Sequence, residues 1–174
     1  ETVQFSAYSD SVTFADGNVA AGARLVVDAG GGEDYIDGSR ETDGTFHMFG
    51  GYGYDTLIGG AGADTLEGGQ GEDLLVGGGA ADQFRYTEGW NSGSLRDVIQ
   101  DFAGNVDRMV FNGSNIAELF ALSAVGDHVR FTRNIAAITL DLDGVETFDL
   151  TALGGADVLQ VDNLAGTDLT TVDA

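Results

Sequence analysis

Hydrophobic and polar residues alternate over short stretches along most of the chain. Residues 12–14 (VTF) and 25–27 (LVV) are early examples, and the pattern returns throughout residues 129–174. A hydrophobic side chain at every second position is typical of a β-strand with one buried face. Residues 115–124 (NIAELFALSA) instead have a mixed hydrophobic spacing that favours a helix. The pattern predicts an all-β chain with one short helix near residues 115–124.

A nine-residue repeat occupies the middle of the chain. From Gly50 the sequence reads GGYGYDTLI, GGAGADTLE, GGQGEDLLV and GGGAADQFR without a break. The acidic residues in the sixth position are Asp55, Asp64, Asp73 and Asp82. An earlier unit, AGGGEDYID at 29–37, has Asp34 in the same position, and GSRETD at 38–43 places Asp43 nine residues later. A repeat with a fixed period indicates one structural unit that is stacked on itself.

Each unit divides into a turn and a strand. The first six residues are rich in glycine, which tolerates the positive φ angles of a tight turn. The eighth residue is always hydrophobic, whereas the seventh varies. The residues in the eighth position are Ile36, Leu57, Leu66, Leu75 and Phe84. We therefore expect a parallel β-roll or β-helix solenoid, in which two units form one coil and a row of turns lies along each edge.

The stacked turns predict a metal site. Turns one coil apart lie above one another, so their aspartate carboxylates and backbone carbonyls face a shared gap. Carboxylate and carbonyl oxygens in large number suit Ca²⁺, whereas Mg²⁺ prefers to keep its waters. Without an ion, the stacked carboxylates repel one another. The repeat therefore predicts calcium bound in the glycine-rich turns.

The units GGYGYD, GGAGAD and GGQGED, with a hydrophobic residue two places later, resemble the RTX (repeats-in-toxin) calcium-binding nonapeptide. The resemblance implies a parallel β-roll in which the sixth-position carboxylate and the carbonyls of the first four positions bind calcium. The positions that match are Gly50, Gly51, Tyr52, Gly53, Asp55, Gly59, Gly60, Ala61, Gly62, Asp64, Gly68, Gly69, Gln70, Gly71 and Asp73. Flanking ligands would be Gly30, Gly32, Asp34, Gly77, Gly78, Gly79, Ala80 and Asp82.

The number of ions follows from the pairing of turns. Turns that begin at residues 29 and 50, 50 and 68, 38 and 59, and 59 and 77 would face each other, which gives at most four sites. The chain departs from the repeat at GSRETD, which has lost nearly all of its glycines, and at Ala80, which replaces a turn glycine. We expect about three to four bound ions, with the site between turns 38 and 59 the weakest.

Composition and charge narrow the classes of partner. The 174 residues include 29 acidic and 7 basic ones, for a net charge of −22, and 43% of the residues are hydrophobic. The chain lacks the clustered basic residues that bind nucleic acid or anionic membranes. It has no cysteine for disulfides or thiolate sites, and no hydrophobic run near the roughly 20 residues that span a bilayer. We expect no nucleic-acid partner, no membrane insertion, and a fold that depends on neutralising the negative charge.

The repeat loosens on both sides of residues 29–85. Asp97 and Asp107 each lie two positions before a hydrophobic residue, and LGGAD at 153–157 again sets two glycines before an aspartate. The stretch after Phe84 resembles the segment that closes RTX rolls in secreted bacterial proteins. We predict an N-terminal β flank at residues 1–28, the roll at 29–85, and a continuing or capping β-solenoid at 86–174.

The expected function is a non-enzymatic, calcium-dependent structural module of a large secreted or surface-attached bacterial protein. The resemblance implies export by a type I system, and the start at Glu1 indicates a piece of a larger parent polypeptide. No Gly-x-Ser-x-Gly or His-Glu-x-x-His motif suggests catalysis. The alternative is an adhesin or polysaccharide-binding module, in which an extracellular glycan or surface partner contacts aromatic residues near the roll. Those residues are Tyr52, Tyr54, Tyr86 and Trp90.

Overall fold

The structure is a computed structural model that describes residues 1–86, 96–100 and 107–174, and these residues form strands and turns but no helix. The strands are β1 (Thr2–Gln4), β2 (Ser11–Thr13), β3 (Arg24–Asp28), β4 (Tyr35–Asp37), β5 (Thr45–Tyr52), β6 (Thr56–Ile58), β7 (Thr65–Gln70), β8 (Leu74–Val76), β9 (Gln83–Tyr86), β10 (Arg96–Gln100), β11 (Arg108–Asn112), β12 (Leu119–Val125), β13 (His128–Arg133), β14 (Ile138–Asp143), β15 (Thr147–Thr151), β16 (Val158–Val161) and β17 (Thr171–Asp173). The predicted all-β class is confirmed.

Within the described residues, the strands form one sheet of eight and one of nine. The first has the order β1-β3-β5-β7-β9-β11-β15-β17, and the second has the order β16-β12-β13-β14-β10-β8-β6-β4-β2. From β1 to β11, successive strands alternate between the two sheets and pair in parallel with strands one coil away. This is the predicted β-roll, and it places the turns between strands along its two edges.

Coil length follows the repeat. Equivalent residues are 18 positions apart where the nonapeptides are regular, as for Asp55 and Asp73. They are 21 positions apart for Asp34 and Asp55, since residues 44–49 interrupt the repeat there. Those extra residues extend β5, which still pairs in parallel with β3 and β7. The interruption therefore lengthens one coil without breaking the stack.

The core lies between the sheets and is built from one side chain per short strand. The predicted inward positions are all buried: Ile36, Leu57, Leu66, Leu75 and Phe84. The residues before and after them in β6 and β8 are half-buried on the outer face. Because each coil buries so few hydrophobic side chains, its stability depends on its neighbours in the stack.

Aromatic side chains fill the C-terminal part of the core. The ring of Tyr86 stacks on Phe111 at 4.8 Å between centroids, and Phe131 lies 4.7 Å from Phe111 and 4.8 Å from Phe148. Phe120 packs against the same group, 6.0 Å from Phe131. Aromatic rings therefore fill the core here, where most of the repeat strands contribute one aliphatic side chain each.

The helix predicted near residues 115–124 is wrong. Residues Leu119–Val125 form β12, which pairs antiparallel with β13 across a turn at Gly126, whose φ is +73°. Phe120 and Leu122 are buried while Leu119 is exposed, which is the two-residue period of a strand. The hairpin partner decided the structure, because tertiary pairing overrides a mixed local spacing.

This strand assignment predicts a contrast between two neighbouring substitutions. Phe120→Ala removes a fully buried ring and is expected to lower the free energy of unfolding by about 3–5 kcal/mol. Leu119→Ala removes a side chain that is 46% exposed and is expected to cost less than about 1 kcal/mol. Urea unfolding at saturating calcium measures both, and equal losses would contradict the strand.

The two sheets run from β1 to β17, and the division of the chain into parts at residues 28/29 and 85/86 stays a prediction.

None of the described residues forms a helix long and apolar enough to cross a membrane.

Candidate metal centre

The glycine-rich turns stack in two rows, one along each edge of the roll. The first row contains turns 29–34, 50–55 and 68–73, and the second contains turns 38–45, 59–64 and 77–82. Backbone hydrogen bonds join neighbouring turns within a row. Gly53 N donates to Gln70 O at 2.8 Å in the first row, and Gly79 N donates to Gly60 O at 2.9 Å in the second. Turns one coil apart therefore face each other in the pairs that the spacing predicts.

One carboxylate oxygen of each aspartate holds the stack together. In the first row, Asp34 N donates to Asp55 Oδ1 and Asp55 N donates to Asp73 Oδ1, both at 2.9 Å. In the second row, Asp64 N donates to Asp82 Oδ1 at 2.7 Å. These bonds fix the orientation of each carboxylate group, and so they also fix where its second oxygen lies.

The second oxygen of the first-row aspartates is buried. The Oδ2 atoms of Asp34, Asp55 and Asp73 accept no hydrogen bond from any described residue. Burial raises the pKa of Asp55 to about 7 and that of Asp73 to about 6, because the ionised form loses its hydration. A buried carboxylate oxygen without a donor costs free energy unless a cation lies beside it.

The second row also contains a buried carboxylate with a raised pKa. Burial raises the pKa of Asp64 to about 6, although Gly60 N donates to its Oδ2 at 2.6 Å. The space beside the first glycine of each turn is bounded by oxygens. A Cβ placed on Gly50 would lie 2.5 Å from Asp55 Oδ2, and one on Gly59 would lie 2.4 Å from Asp64 Oδ2. In both rows, a carbonyl oxygen of the next turn lies equally close, so carboxylate and carbonyl oxygens converge there.

Glycine is required where the turns approach most closely. Gly53 and Gly71 have φ angles of +137° and +146°. A Cβ on Gly71 would lie 1.5 Å from the carbonyl oxygen of Gly53, and one on Gly53 would lie 1.5 Å from that of Gly32. No other residue combines this backbone conformation with this space. The fourth-position glycines therefore allow the carbonyls of successive turns to crowd together.

The donors present fit calcium. The residues offer carboxylate and carbonyl oxygens, with no sulfur or imidazole among the predicted ligands. Hard cations with flexible, oxygen-rich coordination prefer such donors. The unpaired, buried Oδ2 atoms of the first row are the observation that supports this fit. Asp34, Asp55 and Asp73, with the turn carbonyls beside them, are the residues that would hold the ions there.

The structure brings the predicted ligand residues into these two rows. The first row holds Gly30, Gly32, Asp34, residues 50–53, Asp55, residues 68–71 and Asp73, and the second holds residues 59–62, Asp64, residues 77–80 and Asp82. Ala80 takes the left-handed φ of +68° although it is not a glycine. The role of each residue as a ligand stays a prediction.

The turn at 38–45 differs from the predicted alignment. Phe46, and not Asp43, is in register with Asp64, because Phe46 N donates to Asp64 Oδ1 at 2.7 Å. The interruption at residues 44–49 shifts the equivalent position by three residues. The carbonyls of Glu41 and Gly44 do face the next turn, near Gly60 and Gly62. Among the described residues, the site between turns 38 and 59 thus has carbonyls from both turns. Its sixth-position carboxylate comes from Asp64 alone.

The aspartate ladder extends beyond the residues that the repeat marks. Asp10 N donates to Asp34 Oδ1 at 2.7 Å, and Asp73 N donates to Asp97 Oδ1 at 3.0 Å. In the second row, Asp82 N donates to Asp107 Oδ1, and Asp107 N donates to Glu146 Oε2, both at 2.7 Å. Asp10 and Glu146 were not predicted. An acidic residue two places before a hydrophobic residue that packs against the core is the signal that would have found them.

A separate acidic cluster lies beside the second row. Carboxylate oxygens of Asp16, Glu41 and Asp43 lie within 4.8 Å of one another. Glu41 is buried, and it accepts hydrogen bonds from Val19 N at 2.9 Å and Gly17 N at 3.3 Å. These backbone donors, led by Val19, lower the pKa of Glu41 to about 2. Glu41 is therefore satisfied by the protein itself.

The aromatic residues named for the alternative function, glycan or surface binding, differ in their exposure. Tyr52 and Tyr54 are exposed on a first-row turn, at 57% and 62%. Tyr86 is buried in the core, where it stacks on Phe111, so the prediction that it lies open to a glycan is wrong. Its inward position follows from β9, in which alternate residues face the core. Trp90 lies outside the described residues.

Comparison with known proteins agrees with the geometry of the rows. Residues 49–84 match the family model of the RTX calcium-binding nonapeptide repeat, in four copies. These repeats bind Ca²⁺. The match covers the regular coils and stops short of the turns at 29–34 and 38–45. No curated protein and no solved structure matches the chain.

Proposed function

We propose a function from the premise that residues 49–84 are RTX calcium-binding nonapeptide repeats. The chain is a structural segment of a large extracellular bacterial protein, and this segment folds when it binds calcium outside the cell. The observation that carries the proposal is the first row of buried aspartates, in which Asp34, Asp55 and Asp73 each keep one oxygen without a donor. RTX repeats occur in secreted bacterial proteins, which supports the extracellular location.

The buried carboxylates explain why folding would depend on calcium. A carboxyl group whose pKa is higher in the folded chain than in the unfolded chain destabilises the fold as pH rises through that pKa. Burial gives Asp55 a pKa of about 7 and Asp64 and Asp73 about 6, so at neutral pH their ionised forms oppose folding. Bound calcium supplies compensating charge, and the free energy of binding then becomes free energy of folding.

The charge of the whole chain supports export before folding. With a net charge of −22, the chain repels itself and stays expanded where free calcium is scarce, as in a cytosol. An expanded chain can pass through a narrow exporter. Four divalent ions would change the net charge from −22 to about −14, which still keeps the folded surface soluble. The proposed role is structural, and none of its residues is assigned a catalytic step.

A calcium titration followed by far-UV circular dichroism tests the proposal. We expect a large, cooperative gain of β signal between tens of micromolar and about millimolar calcium, because the rows must be neutralised before the coils stack. EDTA should reverse the change. Mg²⁺ at the same concentrations is the control and should produce little of it, since it retains its waters.

One result would contradict the proposal. If the chain has its full β signal in EDTA and calcium adds nothing, the buried carboxylates do not control folding. Equilibrium dialysis with calcium supplies the second measurement, and binding of about three to four ions agrees with the paired turns.

A further inference from the structure

A further pair of stacked turns lies at the C-terminal end of the solenoid, at residues 113–118 and 152–157. Glu118 N donates to Asp157 Oδ1 at 2.9 Å, as Asp55 N donates to Asp73 Oδ1 in the first row. Val158 N donates to Glu118 O at 2.9 Å, as Leu74 N donates to Asp55 O at 2.8 Å. The hydrogen bonds that join neighbouring turns in the first row are therefore repeated here.

The surroundings of Glu118 also match. A Cβ placed on Gly113 would lie 2.6 Å from Glu118 Oε2, which compares with 2.5 Å between Gly50 and Asp55 Oδ2. Gly155 has a φ of +128°, and its Cβ would lie 2.6 Å from the carbonyl oxygen of Ile116. Gly155 thus approaches the preceding turn as Gly71 does in the repeats, although less closely, since a Cβ on Gly71 would lie 1.5 Å from Gly53 O. The Glu118 carboxylate thus occupies the place of a repeat aspartate.

A cationic side chain already lies against this carboxylate. Arg133, at the end of β13, donates through Nε to Glu118 Oε1 and through Nη2 to Ser114 Oγ at 2.7 Å. Ser114 N donates to Glu118 Oε2 at 2.6 Å, so both carboxylate oxygens are bonded. The guanidinium lies over the ring of Phe111, 5.7 Å from its centroid. Arg133 and Glu118 are buried, at 4% and 2% exposure.

We propose that the Arg133 guanidinium takes the place of a calcium ion between these two turns, so that the C-terminal coils fold without calcium. The proposal rests on the proposed function, in which the repeats themselves require the ion. A guanidinium stays protonated at any physiological pH and is tethered to the chain, so its charge does not depend on the calcium supply. The antiparallel hairpin of β12 and β13 is what carries it into the stack.

The consequence is a difference between two parts of one solenoid. Strands β12, β13 and β14 would form in EDTA, and β6, β7 and β8 would form only with calcium. The preformed coils would then present finished strand edges to the repeats when calcium arrives. If the C-terminal coils form first, the repeats do not bear the whole entropic cost of forming the first coils of the stack. Formation of those first coils is the slow step in a repeat array.

Hydrogen–deuterium exchange of the full chain in EDTA and in millimolar calcium tests the proposal. In EDTA, we expect amides of β12 to β14 to exchange at least about a hundredfold more slowly than those of β6 to β8. Calcium should then slow β6 to β8. Fast exchange of both groups in EDTA would overturn the inference and leave the proposed function intact. Slow exchange of β6 to β8 in EDTA would instead contradict the proposed function.

Three variants separate ion replacement from an ordinary buried ion pair. Arg133→Met leaves Glu118 buried without its cation, and we expect β12 to β14 to lose protection in EDTA and to regain it with calcium. Arg133→Lys keeps a cation and should retain most of the protection in EDTA. The double variant with Glu118→Gln and Arg133→Met removes both charges, and its protection should not respond to calcium. Loss in Arg133→Met that calcium does not restore, or full protection of that variant in EDTA, would overturn the proposal.

Discussion

The variant with Asp55→Asn, Asp64→Asn and Asp73→Asn is expected to need more than about tenfold more calcium to fold its repeats than the unmodified chain. Asparagine keeps the Oδ1 acceptor that joins successive turns, and it removes the negative charge at the buried second oxygen. The calcium midpoint from far-UV circular dichroism measures the change.

The apo state of this variant should change in the opposite direction. Burial raises the pKa of each of these three carboxyl groups, so their ionised forms destabilise the apo fold at neutral pH. Asparagine removes that penalty at Asp55 and Asp73, whose second oxygens accept no hydrogen bond from a described residue. We expect more β signal in EDTA than the unmodified chain has. Alanine at the same positions lacks the Oδ1 acceptor and should show no such gain.

A matched control removes the same charge from exposed positions. Glu33 and Glu72 occupy the fifth position of first-row turns, and Asp162 is exposed near the C-terminus. Replacing all three with the neutral amide, as Glu33→Gln, Glu72→Gln and Asp162→Asn, leaves the buried rows intact. The calcium midpoint should shift by less than about twofold, because exposed charges are screened. An equal shift in both variants would show that net charge, and not ligation by the rows, sets the calcium requirement.

The repeat predicts the fold because its physical causes are local. An acidic residue followed two places later by a buried hydrophobic residue sets one coil, and glycine at the first, second and fourth positions sets the turn. These features place Asp55 and Asp73 in one row and Asp64 and Asp82 in the other, as the structure has them. Stacking needs no information from distant residues, because each coil contacts only its neighbours.

What the sequence does not predict depends on distant contacts. Residues 115–124 lack a clear two-residue period, and only the pairing of β12 with β13 makes them a strand. The Arg133–Glu118 pair joins residues 15 positions apart across that hairpin, so no spacing rule indicates it. The register of Phe46 opposite Asp64 likewise follows from how β5 absorbs the interruption, which the paired neighbours decide.

Replacing Gly71 with alanine is expected to lower the free energy of unfolding by about 3 kcal/mol or more at saturating calcium. Two causes act at the same position. The φ of +146° is a conformation that alanine rarely adopts, and the new Cβ would lie 1.5 Å from the carbonyl oxygen of Gly53. The two turns must separate to relieve the contact, and the carbonyls that converge on the site separate with them. Calcium affinity should therefore fall together with stability.

Gly31→Ala is the matched control, because it lies in the same row without either constraint. Its φ is not in the left-handed region, and its Cβ would lie 3.6 Å from Tyr52 Cβ, an ordinary contact. We expect a change of less than about 1 kcal/mol and an unaltered calcium midpoint. Chemical denaturation and calcium titration of both variants decide the matter. A mild effect of Gly71→Ala, similar to that of the control, would mean that the turns tolerate wider spacing. Close packing of the carbonyls would then not be required for the proposed calcium binding.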